Sequence, residues 1–107
     1  MNELVLPELD LAPQQLAIVR TILQRVIPDR AVWAFGSRVQ GRAKPYSDLD
    51  LVVMGEQALS LSDSAELIEA FDESDLTIKV DVVDWASASE AFREIIAKRK
   101  VLVQGRE

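Results

Sequence analysis

Three aspartates have a spacing that suits metal-dependent chemistry. Asp48 and Asp50 alternate with leucines at the start of an apolar segment, and Asp81 interrupts another, Val80-Asp81-Val82. Alternate residues of a strand share a face, so Asp48 and Asp50 point the same way with Cα atoms roughly 7 Å apart. A neighbouring strand would bring Asp81 beside them, at a spacing of roughly 4.8 Å. Clustered carboxylates repel one another unless a cation lies between them. The three aspartates therefore predict a site for Mg²⁺, in the form of a two-metal centre.

A second feature, Gly36-Ser37-Arg38, follows the apolar segment 31–35 at a predicted turn. Glycine allows a ligand to approach the backbone closely, and the N–H groups of such a turn favour anions. The Ser37 hydroxyl is expected to bind a terminal phosphate, with Arg38 or Arg42 neutralising charge. The chain lacks the Gly-x-x-x-x-Gly-Lys-Ser/Thr loop of P-loop NTPases. We therefore predict metal–triphosphate chemistry on a scaffold other than that of the P-loop NTPases.

Each of these features also has an ordinary structural explanation. Gly-Ser is a common turn, Asp48 suits the start of a strand, and Asp50 suits an edge strand as protection against aggregation. Asp81 would be unremarkable on an open sheet face. A Gly-Ser pair followed by Asp-x-Asp at this offset should occur by chance in about one chain in a thousand of this length. The combination of Gly-Ser with Asp-x-Asp therefore indicates a functional site rather than a chance arrangement.

Composition excludes several other kinds of site. The 107 residues include no Cys and no His, which leaves out ordinary zinc sites, haem ligation and Ser-His-Asp triads. Any metal must be held by oxygen, as Mg²⁺, Mn²⁺ and Ca²⁺ are. The net charge of −6 argues against direct binding of nucleic acid. The N-terminus does not resemble a signal peptide, and no apolar run approaches the roughly 20 residues that span a bilayer. We expect a cytoplasmic protein with no membrane association.

Hydrophobic spacing predicts the elements that position these residues. A helix begins near Pro13 with Asp10 as its cap and ends at Pro28. Strands are predicted over 31–35, 49–54 and 77–83, with an edge strand over 101–103. A helix from Ser62 would bury Ala65, Ile68 and Phe71, with Leu67 beside them, and one over 89–99 would bury Phe92, Ile95 and Ile96. This order predicts one α/β (α+β) domain over residues 1–107, a mixed sheet covered by helices. Residues 1–11 are open to an arm, an edge strand or disorder.

The segment Gly36-Ser37-Arg38-x-x-Gly41-x-Ala43-x-x-x-Ser47-Asp48-x-Asp50-Leu51 resembles the signature of the DNA polymerase β-like nucleotidyltransferases. Within them it is most similar to the minimal nucleotidyltransferases that pair with HEPN-domain proteins. The resemblance implies Mg²⁺ ligation, and with it catalysis, by Asp48, Asp50 and Asp81. It also implies phosphate contacts from Gly36 and Ser37.

The resemblance further implies a function as the antitoxin of a toxin–antitoxin pair. The chain would transfer AMP from ATP to a tyrosine of a HEPN toxin, using two Mg²⁺ ions or Mn²⁺, in a hetero-oligomer. Two alternatives stay open. One is an antitoxin that neutralises its toxin by binding alone, for which three clustered carboxylates have no use. The other is nucleotidyl transfer to a small molecule, against which the lack of an acceptor-binding domain argues.

Overall fold

A computed structural model describes residues 8–105. Three α-helices and two short 3₁₀ turns (Ser37–Val39 and Trp85–Ser87) accompany a four-stranded sheet. The helices are α1 (Pro13–Val26), α2 (Leu61–Asp72) and α3 (Glu90–Lys98). The strands are β1 (Val32–Phe35), β2 (Leu49–Val53), β3 (Val80–Asp84) and β4 (Val101–Gln104). The predicted order of elements is confirmed, although β3 begins three residues later than expected.

The helix starts follow local capping chemistry. Ser60 and Ser89 each accept a hydrogen bond from a first-turn N–H group, which satisfies one of the donors that a helix start leaves free. In α1 the prediction of an Asp10 cap was wrong. The N-cap is Ala12, without a side-chain cap, and Pro13 takes the first helical position, where a missing N–H costs nothing.

The sheet is mixed, with strand order β3-β2-β1-β4. Strand β1 lies between β2 and β4 and is antiparallel to both, whereas β2 and β3 run parallel. The mixed sheet with its helices confirms the predicted α+β fold class. Strands β3 and β4 form the two edges.

Alternation along the strands gives the sheet two apolar faces. Leu49, Leu51 and Val53 point into the larger core, which α1 and α2 cover. Val52 and Phe35 point to the opposite face, where they pack with Ile96 of α3. The Phe92 ring meets the Phe35 ring edge to face, with centroids 5.8 Å apart.

Two isoleucines depart from the predicted core. Ile68 of α2 is 61% exposed and Ile95 of α3 is 56% exposed, whereas their neighbours Leu67 and Ile96 are buried. Ala65 is exposed as well, so the buried face of α2 is rotated by about one residue from the predicted one, although Phe71 is buried as predicted. In α3 the prediction holds for Ile96, which is buried, and for Phe92, which is half-buried. None of the described helices has the length and apolar character needed to cross a membrane.

Candidate active site

The parallel pairing of β2 with β3 places two of the three aspartates side by side. Asp50 and Asp81 are direct partners in the register, and Asp48 lies two residues before Asp50. The Leu49 N–H group donates to the Lys79 carbonyl at 2.9 Å, which ties the start of β2 to the chain just before β3. Strand β3, which carries Asp81, therefore lies beside β2.

Gly36 closes the site from the other side of β2. Phe35 pairs with Asp50 across β1 and β2, so the next residue turns directly over the Asp50 carboxylate. A Cβ atom on Gly36 would overlap Asp50 Oδ2, and the φ angle of +82° lies in the region that favours glycine. Close approach and backbone conformation both require glycine at this position.

The carboxylates influence one another electrostatically. Burial is the largest cause that raises the pKa of Asp50 above its ordinary value, and the negative charges of Asp81 and then Asp48 raise it further. The site thus contains negative charge that no positive group in the described structure fully offsets. A divalent cation held by oxygen ligands would relieve this repulsion.

The arrangement is not yet a closed metal site. In the part of the chain that the structure describes, no three acidic side chains are grouped tightly enough to enclose a metal ion. Asp81 Oδ1 instead lies 3.6 Å from Lys79 Nζ at the outer edge of the sheet, where both side chains are substantially exposed. An exposed carboxylate turns easily toward Asp50, so the donor set fits a metal after a change of rotamer.

Arg38 has a different position from the one predicted for a phosphate ligand. Its side chain is buried, and its guanidinium donates to the Ser47 carbonyl through Nε at 3.0 Å and Nη2 at 2.9 Å. Nη1 donates to the Asp10 carbonyl at 2.8 Å, and Nη2 also lies 3.3 Å from that of Pro45. These contacts favour a structural role, in which Arg38 holds the loop that leads into Asp48.

The rest of the Gly36–Ser37 turn is compact and open to ligands. The Gly36 carbonyl accepts from the Val39 N–H group, and the Ser37 carbonyl accepts from those of Gln40 and Arg42. The Arg42 side chain is exposed and bonds to Gln40. Arg42 is therefore the better placed of the two predicted arginines to meet a phosphate.

Asp84 lies on the opposite face of β3 from Asp81, as an odd number of residue steps between two positions of a strand requires. Its Oδ1 accepts the Leu59 N–H group at 2.9 Å, on the face that α2 covers. The structure therefore brings Asp48, Asp50, Asp81 and Gly36 together, with Ser37 next to them, and leaves Asp84 outside. Sequence reasoning missed the buried position of Arg38, for which the only signal was an arginine within an otherwise turn-like segment.

Known proteins with similar sequences provide an independent comparison. The family model described as "Polymerase beta, Nucleotidyltransferase" matches residues 19–107, which include all the residues of the site. A curated protein of Haemophilus influenzae called "Probable protein adenylyltransferase MntA" is 55% identical over 100 residues, which are 94% of this chain and 88% of that protein.

Solved structures have the same fold. A toxin–antitoxin crystal structure with AMP-PNP superimposes with a TM-score of 0.70 at 26% identity, over 86% of this chain and 74% of the other. A protein whose structure was solved as a minimal nucleotidyltransferase gives a TM-score of 0.63 at 30% identity, over 82% and 88% of the two chains.

Proposed function

The chain belongs to the polymerase β nucleotidyltransferase family, and on this premise we propose that it transfers AMP from ATP to a tyrosine hydroxyl of a HEPN-domain toxin. The transfer would neutralise the toxin, which makes this chain its antitoxin. The observation that carries the proposal is the pairing of Asp50 with Asp81 in the register, with Gly36 against the Asp50 carboxylate. AMP as the transferred group and a protein as the acceptor are supported by the similarity to a protein called an adenylyltransferase.

Each residue of the site has a role in this reaction. Asp48 and Asp50 would hold divalent metal, Mg²⁺ or Mn²⁺ in two sites, and Asp81 would complete one of them. The metal, when bound, stabilises the negative charge that develops on the transferred phosphate. The Gly36–Ser37 turn offers backbone N–H groups and a hydroxyl to the phosphates of ATP.

The proton of the acceptor hydroxyl needs a base. The side chain of Asp81 is 44% exposed and lies on an edge strand of the sheet. There it can reach the acceptor hydroxyl as well as the metal. The acceptor oxygen bonds to the α-phosphorus, pyrophosphate leaves with the electrons of the broken bond, and Asp81 takes the proton.

The test is reconstitution with a defined acceptor. The chain is mixed with ATP, Mg²⁺ and a purified HEPN-domain protein, and intact-mass spectrometry follows the HEPN protein. We expect the mass to increase by one or more AMP units, with peptide mapping placing them on tyrosine, and excess EDTA to abolish the increase. An unmodified HEPN protein, or full transfer in EDTA, would contradict the proposal.

A further inference from the structure

Among residues 8–105, strand β3 has β2 as its only strand neighbour, so its other edge is unpaired within this part of the chain. A groove of about 400 Å³ lies along this edge, between β3 and α2. Its apolar lining includes Leu59, Ile68, Phe71 and Val82. We call it the β3–α2 groove.

The groove exposes apolar surface that the core does not use. Ile68 is 61% exposed, and all five residues of β3 are only half-buried, in contrast to β2, where four of five are buried. A strand edge with free backbone groups beside apolar side chains is the arrangement that binds an extended segment of another polypeptide.

Charge indicates what kind of polypeptide fits. Between Lys44 and Lys79 the sequence contains nine acidic residues and no basic one. Several of these acids lie on α2. The groove itself is lined by three acidic residues, Asp72, Asp81 and Asp84, and by one basic residue, Lys79, which lies 3.6 Å from Asp81. A second copy of the chain would bring two such acidic surfaces together at a net charge of −6 each, which opposes self-association. A basic, partly apolar segment is complementary.

The candidate active site lies across the same strand, since Asp84 lines the groove on the face that α2 covers and the side chain of Asp81 lies on the opposite face of β3. Asp81 lines the groove and is the register partner of Asp50. A segment paired with β3 would extend the sheet, so alternate residues of that segment would lie on the face of the carboxylates, beside Asp81.

We propose that the acceptor polypeptide docks in the β3–α2 groove through an extended, basic and partly apolar segment that pairs with the free edge of β3. An apolar side chain of this segment packs against Ile68, and its basic residues face Asp72 and the other acids of α2. The inference rests on the proposed function, since it concerns how the acceptor of that reaction reaches Asp81.

Matched variants on the two faces test the docking. Ile68→Gln and Ile95→Gln each replace an exposed isoleucine on a helix, the first in the groove and the second on α3. Asp72→Lys and Glu94→Lys form the matching pair of charge reversals, because both positions are exposed. The Kd for the HEPN-domain protein is measured by calorimetry, and KM and kcat are measured for both substrates.

We expect each groove variant to weaken binding of the HEPN protein and raise its KM about tenfold, with KM for ATP unchanged. The α3 variants should stay within twofold of wild type. Hydrogen exchange supplies an independent readout, because docking should protect amides of Val80–Asp84 and not those of the other edge strand, Val101–Gln104.

The outcomes separate the two proposals. If the wild-type chain transfers AMP while the groove variants keep wild-type Kd and KM, or if protection falls on β4, the docking inference is wrong and the proposed function stands. If the wild-type chain neither binds nor modifies the HEPN protein, the proposed function fails and the docking inference fails with it.

Discussion

Strand β2 is held at each end by an arginine that donates hydrogen bonds to carbonyls of the adjoining loop. At its start, Arg38 donates to Ser47 and to the neighbouring loop carbonyls. At its far end, Arg30 donates through Nε to the Met54 carbonyl at 2.8 Å, and its Nη2 donates to the Gln57 carbonyl. The same kind of arginine–carbonyl contact therefore occurs at both ends of β2.

The ends differ in what the arginine holds in place. The start carries Asp48 and Asp50, with Asp81 beside them, and the pKa of Asp50 is raised by burial and by these neighbours. The far end, Met54–Gln57, carries one exposed acid, Glu56. An arginine that binds loop carbonyls is thus a general means of fixing a turn, and the chemistry depends on the acids at one end. Matched substitutions at the two ends should separate function from stability.

The largest effect is expected from Asp48→Ala combined with Asp50→Ala. The double variant should show no detectable AMP transfer, because it lacks two of the three carboxylates that would hold metal. Its fold should stay intact, since neither side chain belongs to the apolar core. Glu56→Ala, at the far end of β2, is the control and should transfer at the wild-type rate in the mass-spectrometry assay.

A cellular assay of the same double variant tests the catalytic account of neutralisation. We expect cells that produce the HEPN toxin to lose protection. Protection equal to that of the wild-type chain would show that neutralisation occurs by binding alone.

The next largest effect is expected from a substitution in β3, whose residues pair with both ends of β2. Asp81 pairs with Asp50 at the start, and Asp84 pairs with Val53 at the far end. Asp81→Asn should lower the transfer rate by about 10²–10⁴-fold through loss of a base, with a smaller change in ATP binding.

Asp84→Asn is the control for this substitution. The asparagine oxygen can still accept the Leu59 N–H group that Asp84 now accepts, and the position lies on the opposite face from the site. Transfer should therefore be close to that of wild type. The interpretation fails if Asp84→Asn is inactive and Asp81→Asn is active.

Substitution of each of the two arginines should have a smaller effect, and comparing the two variants separates an effect on kcat from an effect on stability. Lysine keeps the positive charge but cannot donate to several carbonyls at once from a planar group. Arg38→Lys should lower kcat by roughly ten- to a hundredfold, because small displacements of reacting groups are costly. It should also destabilise the fold by about 1–3 kcal/mol.

Arg30→Lys is the matched control. It removes the same kind of contact at the far end of β2 and should cost about 1 kcal/mol in the free energy of unfolding, with kcat unchanged. Both quantities are measured on the same samples, with kcat determined well below each melting temperature. Equal losses of kcat in both variants would show that stability alone controls the rate.

The sequence predicted the parts of this site that depend on local rules. Strand alternation was enough to place Asp48 and Asp50 on one face of their strand and Asp81 and Asp84 on opposite faces of theirs. The register that sets Asp81 beside Asp50 comes from the pairing of β2 with β3. The rotation of α2 that exposes Ile68 was not predictable, because periodicity alone defines an apolar face only to within about one residue. The carbonyl contacts of Arg38 were also missed, because they depend on how the segment at Asp10 and the loop at Ser47 meet in three dimensions.

The smallest predicted effect is on stability, and it follows from the raised pKa of Asp50. The folded state binds the Asp50 proton more tightly than the unfolded state, so stability decreases as the pH rises above the ordinary value of 3.8 toward the folded pKa. At neutral pH the charged Asp50 destabilises the metal-free protein. Asp50→Asn removes that charge and should raise the melting temperature, by an amount that the solvent still reaching the carboxylate keeps small.

The dependence on pH and on metal identifies the cause of this shift. The gain from Asp50→Asn should disappear as the pH falls well below the ordinary value of 3.8, because Asp50 then becomes protonated in both states. Mg²⁺ should reduce the gain at neutral pH, because a bound cation stabilises the wild-type carboxylate and not the amide. Glu56→Gln, at the exposed far end of β2, should leave the melting temperature unchanged under every condition. A gain that is equal at all pH values would assign the effect to packing, and the repulsion among Asp48, Asp50 and Asp81 would then not be its source.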